Sequence, residues 1–241
     1  MKAEQIIFKL HKALIKTYVR SLIHYDLVMD ETLPVGPKLL VSNHPTTTDP
    51  FFLPLLVNEP ISLFVTGMAF EIPVFGRVLT RAGHIPVNKK SLRSRLQTVD
   101  EALGRLSAGR TVGLFPEGSL SPERGEFCRP RSGAARIALQ SGVPVVPIGI
   151  YHSKNACFYR TVKTESFEST GRFVIRGDYF LSVGKPLLFK GDVNNDLDIQ
   201  KASLEIMAAI IQQTRISQKR LNSPRIRWQP LFTRLAKNEN L

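Results

Sequence analysis

The stretch KLLVSNHPTTTD at residues 38–49 places a polar loop directly after an apolar run. The apolar part, 38–42, predicts a buried strand of a parallel sheet. Pro45 ends that strand, the threonines and Asp49 are residue types that begin helices, and Pro50 suits a first helical position. The stretch therefore predicts a strand, a tight loop and a helix start, which is where open α/β sheets bind their ligands.

His44 lies at the carboxyl end of this predicted strand, and an imidazole is a proton acceptor near neutral pH. Asp49 follows five residues later, across a turn that can return its carboxylate to the ring. A carboxylate on one ring nitrogen fixes the tautomer and leaves the other nitrogen to take a proton from a hydroxyl. A structural histidine beside an ordinary Asp-Pro helix start has the same local pattern, so the rest of the chain decides between them.

Composition favours one sizeable α/β domain, or a domain with a small appendage, and an anionic partner. The 241 residues are 43% hydrophobic, and 33 Lys and Arg against 20 Asp and Glu give a formal charge of +13. This charge suits a membrane surface, nucleic acid or a phosphorylated substrate. Cys128 and Cys157 fit neither a metal site nor a disulfide framework, which favours a reducing compartment. We expect neither a spanning helix, because no apolar run reaches about 18 residues, nor a signal peptide.

Apolar runs along the chain predict strands, and amphipathic periodicity predicts helices between several of them. The predicted strands lie at 38–42, 61–66, 84–87, 111–115, 144–150, 172–176 and 179–184. The predicted helices lie at about 50–57, 74–82, 91–108, 131–141 and 199–219. This alternation predicts an α/β fold with a mostly parallel central sheet flanked by helices. The last two strands predict a hairpin, because only Gly177 and Asp178 separate them, and the polar residues 153–170 predict a loop.

Residues 2–28 have the periodicity of one N-terminal amphipathic helix. Apolar residues recur at steps of three and four, at Ile7, Leu10, Leu14, Tyr18 and Leu22, and basic residues recur opposite them, at Lys9, Lys12, Lys16 and Arg20. This pattern is typical of a helix in an anionic membrane interface, and equally of a surface helix packed on the domain. We therefore predict three segments: an amphipathic, membrane-docking helix in 1–30, the main domain in 31–220 and a basic tail in 221–241.

A second stretch, TVGLFPEG at 111–118, repeats the arrangement of a buried strand followed by a polar loop. Glu117 and Gly118 follow the strand, and glycine permits backbone angles that let a ligand approach the chain closely. Three arginines follow in the same connection, at Arg124, Arg129 and Arg131. Taken singly, FPEG also fits an ordinary strand-to-loop turn, and the arginines also fit a solvated basic loop.

A third stretch, EIPVFGRVLTRAGHIPVNK at 71–89, predicts a short helix that carries Arg77 and Arg81 and ends at Gly83. The strand that follows leads to Lys89. A cluster of cations beside a His-Asp pair suits an acceptor that bears a phosphate.

Four motifs in this order resemble those of the glycerolipid acyltransferases, typified by 1-acylglycerol-3-phosphate acyltransferase. NHPTTTD resembles the family's Asn-His-x-x-x-x-Asp motif, and the second, third and fourth motifs resemble GHIPVNK (83–89), FPEG (115–118) and VPVVPI (143–148). The resemblance covers roughly residues 35–190. It implies that 31–220 is an acyltransferase domain for phospholipid biosynthesis. Its reaction would move a fatty acyl group from acyl-CoA or acyl-ACP to the hydroxyl of a lysophospholipid, foremost 1-acylglycerol-3-phosphate.

The resemblance also implies a role for each motif residue. His44 would be the general base on the acceptor hydroxyl, and Asp49 would orient it. The hydroxyl attacks the acyl thioester directly, so no cofactor, metal or enzyme nucleophile is implied. Backbone amides near Gly118 are candidate oxyanion donors, and Glu117 would position either the substrate or the loop. The implied substrate-binding residues are Lys89, Glu117, Gly118, Arg124, Arg129 and Arg131.

The partners and location follow from this reading. They are a lysophospholipid acceptor, acyl-CoA or acyl carrier protein, and an anionic membrane surface rather than nucleic acid. The expected location is peripheral, on the cytoplasmic face of a membrane.

Three departures from the family's pattern concern phosphate recognition. Leu120 stands where the third motif usually has an arginine, and Lys89 stands where the second motif ends in arginine and offers a bidentate fork. Thr66-Gly67-Met68 stands where a lysine is common. A different hydroxyl-bearing lipid is therefore one alternative acceptor. Another alternative is a non-catalytic basic membrane- or nucleic-acid-binding protein on the same fold, which explains the charge but not the complete motifs.

Overall fold

The structure is a computed structural model that describes residues 3–88, 91–123, 125–153, 157–164 and 167–223. Lys89, Arg124 and all but the first three residues of the predicted basic tail lie outside these ranges.

A seven-stranded mixed sheet forms the centre of the molecule. In chain order the strands are β1 Ile23–Met29, β2 Leu39–Ser42, β3 Ile61–Thr66, β4 Ile85–Val87, β5 Thr111–Leu114, β6 Val145–His152, β7 Cys157–Thr164, β8 Phe167–Val174 and β9 Gly177–Val183. The order in the sheet is β1-β9-β6-β2-β5-β3-β4, with β6 to β4 mutually parallel and β9 and β1 running the opposite way. The prediction of a mostly parallel sheet is confirmed.

Helices cover both faces of this sheet. They are α1 Ala3–Leu22, α2 Asp49–Phe52 with a 3₁₀ turn Leu53–Leu56, α3 Gly67–Glu71, α4 Phe75–Arg81, α5 Leu92–Ser107, α6 Gly133–Ser141 and α7 Asp196–Leu221. Successive strand side chains point to opposite faces, so Leu39 and Val41 pack with α5, α6 and α7, while Leu40 packs with α1 and α2. The burial of both faces explains why Leu39, Leu40 and Val41 of β2 are all apolar.

The N-terminal helix is shorter than its periodicity predicts. It ends at Leu22, and Ile23–Met29 is an edge strand paired in parallel with β9. Ile23 and Tyr25 are buried, while the intervening His24 is partly exposed, an alternation typical of a strand. Pairing with a strand 150 residues away decides the conformation here, and periodicity within the segment does not report such a partner.

The predicted hairpin of 172–176 with 179–184 is wrong, and so is the predicted loop at 153–170. β8 pairs antiparallel with β7, as a two-stranded sheet of its own, whereas β9 joins the central sheet between β1 and β6. Gly177, at φ 106°, permits the turn between the two sheets. The buried side chains of Phe180 and Leu181 explain why β9 belongs to the core.

Candidate active site

Two neighbouring parallel strands, β2 and β5, lead into the first motif (43–49) and the third motif (115–118). Both motifs therefore lie at one edge of the sheet. In the register of β2 and β5, Leu39 lies opposite Val112 and Val41 opposite Leu114, so their following loops meet at the carboxyl edge. Asn43 fastens the first loop to β6 on the other side. Its amide nitrogen donates to the Ile150 carbonyl at 2.9 Å, and its oxygen accepts from the Ile150 amide at 2.7 Å.

His44 and Asp49 form the pair that their spacing predicts. The His44 Nδ1 lies 2.9 Å from the Asp49 Oδ2, and the Asp49 side chain is fully buried. Because Asp49 accepts at Nδ1, the proton resides there and Nε2 is left as the acceptor. The imidazole is 17% exposed and stacks on Phe115, with ring centroids 4.0 Å apart and planes 12° apart. The ring is thus held by a carboxylate at one nitrogen and a phenyl face, and it keeps an opening to solvent.

Further donors hold the Asp49 carboxylate in one orientation. Oδ2 also accepts from the Thr46 amide at 2.8 Å, while Oδ1 accepts from the Thr46 hydroxyl and from the Tyr179 hydroxyl, the latter at 2.7 Å. Burial, followed by the negative charge of Asp49, raises the pKa of the Tyr179 phenol well above its ordinary value. Tyr179 therefore remains a protonated donor to the carboxylate over the pH range in which proteins are stable.

The Glu117 side chain connects the loop of the first motif to the loop that follows the third motif. The side chain is buried, its Oε1 accepts from the His44 amide at 3.0 Å and the Ser121 hydroxyl at 2.7 Å, and its Oε2 accepts from the Cys128 amide at 2.6 Å. The Ser121 amide in turn donates to the His44 carbonyl at 2.8 Å. Both oxygens of Glu117 thus bind protein donors, which favours positioning of the loop over contact with a ligand.

Gly118 and Arg131 lie together at the mouth of the third-motif loop. Gly118 adopts φ 66°, and its amide donates to the Phe115 carbonyl at 3.0 Å, so that amide already has a protein acceptor. A Cβ at Gly118 would lie 2.5 Å from the Arg131 Nε, so glycine admits the arginine stem. Arg129 is exposed in the same connection, two residues before Arg131. Lys89 and Arg124 remain predictions from sequence, because they lie outside the described residues.

The three threonines of the first motif do not cap the helix that follows them, although their residue type predicts that role. Thr48 occupies the N-cap position of α2 without a capping hydrogen bond from its side chain. Its hydroxyl instead accepts from the Val174 amide at 3.1 Å, the Thr47 hydroxyl accepts from the Arg172 amide at 3.1 Å, and the Thr47 amide donates to the Arg172 carbonyl at 2.7 Å. The β7–β8 hairpin is thereby fastened across the motif loop.

Sequence reasoning missed both Tyr179 and the hairpin as parts of this site. Thr47 and Thr48 bind β8, and the Arg172 guanidinium donates to the carbonyls of Ser121 and Pro122. No spacing signal connects residue 179 to residue 49. The apolar run at 179–184 does predict the strand that contains Tyr179, but it does not identify the partner of its hydroxyl.

A cavity of about 930 Å³ lies away from this site, among α1, α4 and α5. Its lining includes Glu59 and Arg110, which precede β3 and β5 and so mark the amino edge of the sheet. It contains none of the described motif residues, so we assign the chemistry to the His44 edge. Within the described ranges, no cluster of three His, Cys, Asp or Glu has the geometry of a metal site.

Comparison with known families agrees with this geometry. The family model described as "Acyltransferase" matches residues 25–151, which is more than half of the 241 residues. The chain belongs to the acyltransferase family. The matched segment contains all of the first and third motifs of this chain, including His44, Asp49, Glu117 and Gly118.

Individual relatives resemble parts of the chain. The 1-acyl-sn-glycerol-3-phosphate acyltransferase of Borreliella burgdorferi is 29% identical over 127 residues, covering 52% of this chain and 50% of that one. The chloroplastic 1-acyl-sn-glycerol-3-phosphate acyltransferase BAT2 of Brassica napus is 34% identical over 120 residues, covering 49% and 34% respectively. The chain thus spans half or less of the length of these two relatives.

The fold of this chain is also similar to a solved structure. The crystal structure of the 1-acyl-sn-glycerophosphate acyltransferase PlsC from Thermotoga maritima superposes with a TM-score of 0.62 over 94% of this chain and 81% of that one. The sequences are 19% identical, so this similarity concerns the fold alone.

Proposed function

We propose that this protein is an O-acyltransferase that moves a fatty acyl group from acyl-CoA or acyl-ACP to the hydroxyl of 1-acylglycerol-3-phosphate, in phospholipid biosynthesis. The observation that carries the proposal is the 2.9 Å hydrogen bond between His44 Nδ1 and the buried Asp49 carboxylate, which leaves Nε2 directed away from its orienting partner. Relatives that are similar to about half of this chain are named 1-acyl-sn-glycerol-3-phosphate acyltransferase, which supports the acceptor class.

The geometry supports a direct transfer without a covalent enzyme intermediate. His44 Nε2 takes the proton of the acceptor hydroxyl as the hydroxyl oxygen attacks the thioester carbonyl carbon. The tetrahedral intermediate collapses, the carbon–sulfur bond breaks, and the leaving thiolate takes the proton back from the imidazolium. Asp49 stabilises that imidazolium and keeps the tautomer correct. Glu117 acts indirectly, by holding the backbone of His44 in place.

The acceptor phosphate is assigned to the basic residues at the mouth of the loop. Arg131 is supported by its position against Gly118, and Arg129 by its exposure in the same connection. Lys89 and Arg124 complete the set on the grounds of sequence. Because Leu120 and Lys89 depart from the family's arginines, a different hydroxyl-bearing lipid is the second candidate acceptor.

Peripheral attachment to the cytoplasmic face of a membrane, through α1, completes the proposal. The core-facing side of α1 carries Val19, whereas Leu10 and Leu14 are 60% and 70% exposed. Lys12 does not belong to the predicted basic face, since its ammonium donates to the Val57 carbonyl at 2.5 Å and burial lowers its pKa. Among the described helices, none is both long and apolar enough to cross a bilayer.

An acceptor-dependent assay of thiol release tests the proposal. Purified protein with acyl-CoA should release free CoA when 1-acylglycerol-3-phosphate is added, and more slowly with a monoacylglycerol that lacks the phosphate. The same comparison with acyl-ACP identifies the donor. Equal use of the two acceptors would support the second candidate. Absence of acceptor-dependent release with any lysolipid or donor would support the non-catalytic binding protein instead.

Tyr179→Phe is expected to lower kcat about tenfold to a hundredfold, because Asp49 loses a donor that orients its carboxylate and a hydrogen bond to a charged group contributes about 1.5–3 kcal/mol. Tyr179 and Asp49 are both fully buried and act through His44, so the KM values should stay close to those of wild type. Tyr25→Phe is the matched control. Its hydroxyl is buried with no hydrogen-bond partner among the described residues, and its ring stacks on Tyr179.

The split between kcat and KM separates a positioning role from a merely structural one. A Tyr179→Phe protein that loses stability but keeps the wild-type kcat would show that this tyrosine only packs the core.

A further inference from the structure

The segment that connects β3 to β4 is a helical corner, formed by α3, α4 and the turn between them, residues 67–81. β3 is parallel to β5, and β5 is parallel to β2, so the chain leaves β3 at the same edge of the sheet as His44. The α3–α4 corner therefore begins at the edge that carries the catalytic loops.

This corner exposes a concentration of large apolar side chains. Residues 71–75 are all exposed. The apolar members of the corner, with their exposed fractions, are Met68 51%, Ile72 52%, Val74 69%, Phe75 39% and Val78 40%. A cluster of this density on a basic protein indicates a surface that is covered in use.

The apex of the corner is held outward by its backbone. Val74 has φ 66°, and the Phe75 amide donates to the Pro73 carbonyl at 2.8 Å, which closes a γ-turn that is strained for a β-branched residue. Gly76 packs so closely that a Cβ there would lie 1.9 Å from the Phe70 carbonyl oxygen. The two short helices therefore pack closely against each other, and the apolar apex projects from them.

The charges around the corner identify the kind of partner. Arg77 and Arg81 are exposed on α4, against one acidic residue, Glu71, in the corner. α4 contacts α1, whose exposed side combines Ile6, Leu10 and Leu14 with Lys9 and Arg20 along one flank. An apolar surface with a basic border is typical of binding to an anionic lipid bilayer.

We propose that the α3–α4 corner is a second membrane-insertion element, whose apex enters the boundary between headgroups and acyl chains of an anionic bilayer. Together with α1 it forms one docking surface. This surface holds the His44 edge close to the bilayer, so that a membrane-resident acceptor reaches the imidazole. The inference rests on the proposed action on a membrane lipid, and it adds the element that orients the enzyme on its substrate's surface.

Co-sedimentation of the full chain with vesicles tests the corner without requiring turnover. With phosphatidylcholine vesicles that contain about 30% phosphatidylglycerol, the double variant Ile72→Ser/Val74→Ser should bind at least about tenfold more weakly than wild type. The matched control is Leu197→Ser/Leu204→Ser. These two leucines are 72% and 57% exposed, and they belong to α7, which packs on the face of the sheet opposite to α1. The control should bind like wild type.

Val74→Gly gives a second readout that unfolding cannot mimic. Glycine tolerates the positive φ, so the melting temperature should rise or stay constant while vesicle binding weakens. Unchanged binding by both corner variants would overturn the inference and leave the proposed acyl transfer standing. Equal weakening by the α7 control would also overturn it, because the effect would then follow any loss of surface apolarity. A chain without transferase activity whose corner variants alone lose vesicle binding would support the corner and contradict the proposed reaction.

Discussion

His44→Ala is expected to lower kcat by about two to four orders of magnitude while the protein stays folded. In the proposed mechanism the imidazole supplies the proton acceptor for the attacking hydroxyl, and no other described side chain is bound to Asp49 in a position to replace it. Removal of the ring also removes few packing contacts, because the ring contacts Phe115 on one face and is partly open to solvent. The measurement is the steady-state rate of acceptor-dependent thiol release, with the melting temperature as a check on the fold.

His24→Ala provides the matched control for the loss of a histidine paired with an aspartate. Its Nδ1 lies 2.8 Å from the Asp178 carboxylate, in a pair that resembles the His44–Asp49 pair but joins β1 to β9. The control should retain wild-type turnover. Near-normal turnover in folded His44→Ala protein would contradict the proposed mechanism, whatever the turnover of the control.

Glu117→Ala is expected to remove nearly all activity and to lower the free energy of unfolding by about 2–4 kcal/mol. The carboxylate accepts from the His44 amide, the Ser121 hydroxyl and the Cys128 amide, so its loss leaves donors without an acceptor in a site closed to water. The loop that carries His44 then loses its attachment to the third-motif loop. Chemical denaturation measures the stability, and thiol release measures the activity.

Glu126→Ala is the control for this change, because Glu126 is an exposed acid in the same connection. It should leave both stability and activity close to wild type. Glu117→Gln refines the result: an amide keeps the shape but presents a donor where the Cys128 or His44 amide also donates. A stable Glu117→Ala protein that is nevertheless inactive would reassign Glu117 from the loop to the substrate.

The local parts of the site were predictable because each lies within a few residues of sequence. His44 and Asp49 are in one loop, so their spacing and the turn between them are enough to predict the hydrogen bond that the structure shows. The strand before that loop is apolar on both faces, so its burial in a parallel sheet could also be read directly. The meeting of the first and third motifs followed from the general geometry of parallel strands.

The supports of those residues were not predictable, because they depend on contacts between distant segments. Tyr179 reaches Asp49 across 130 positions, and Thr48 reaches Val174 across 126. Glu117 was placed at the site by its motif, but only the packing of the loops shows that both its oxygens bind backbone or hydroxyl donors. The strand pairings of β1, β8 and β9 were missed for the same reason.

The sequence by itself determined which residues are candidates for the chemistry and in which class of sheet they stand, since hydrophobic periodicity and short motifs are local properties. The tertiary structure alone decided what holds them: the register of β9, which brings the Tyr179 hydroxyl to Asp49, and the hairpin fastened across the threonines. It also decided which side of α1 and of the α3–α4 corner is left exposed. A pattern of side chains reports that a face is apolar, whereas only the packed molecule shows whether the core covers it.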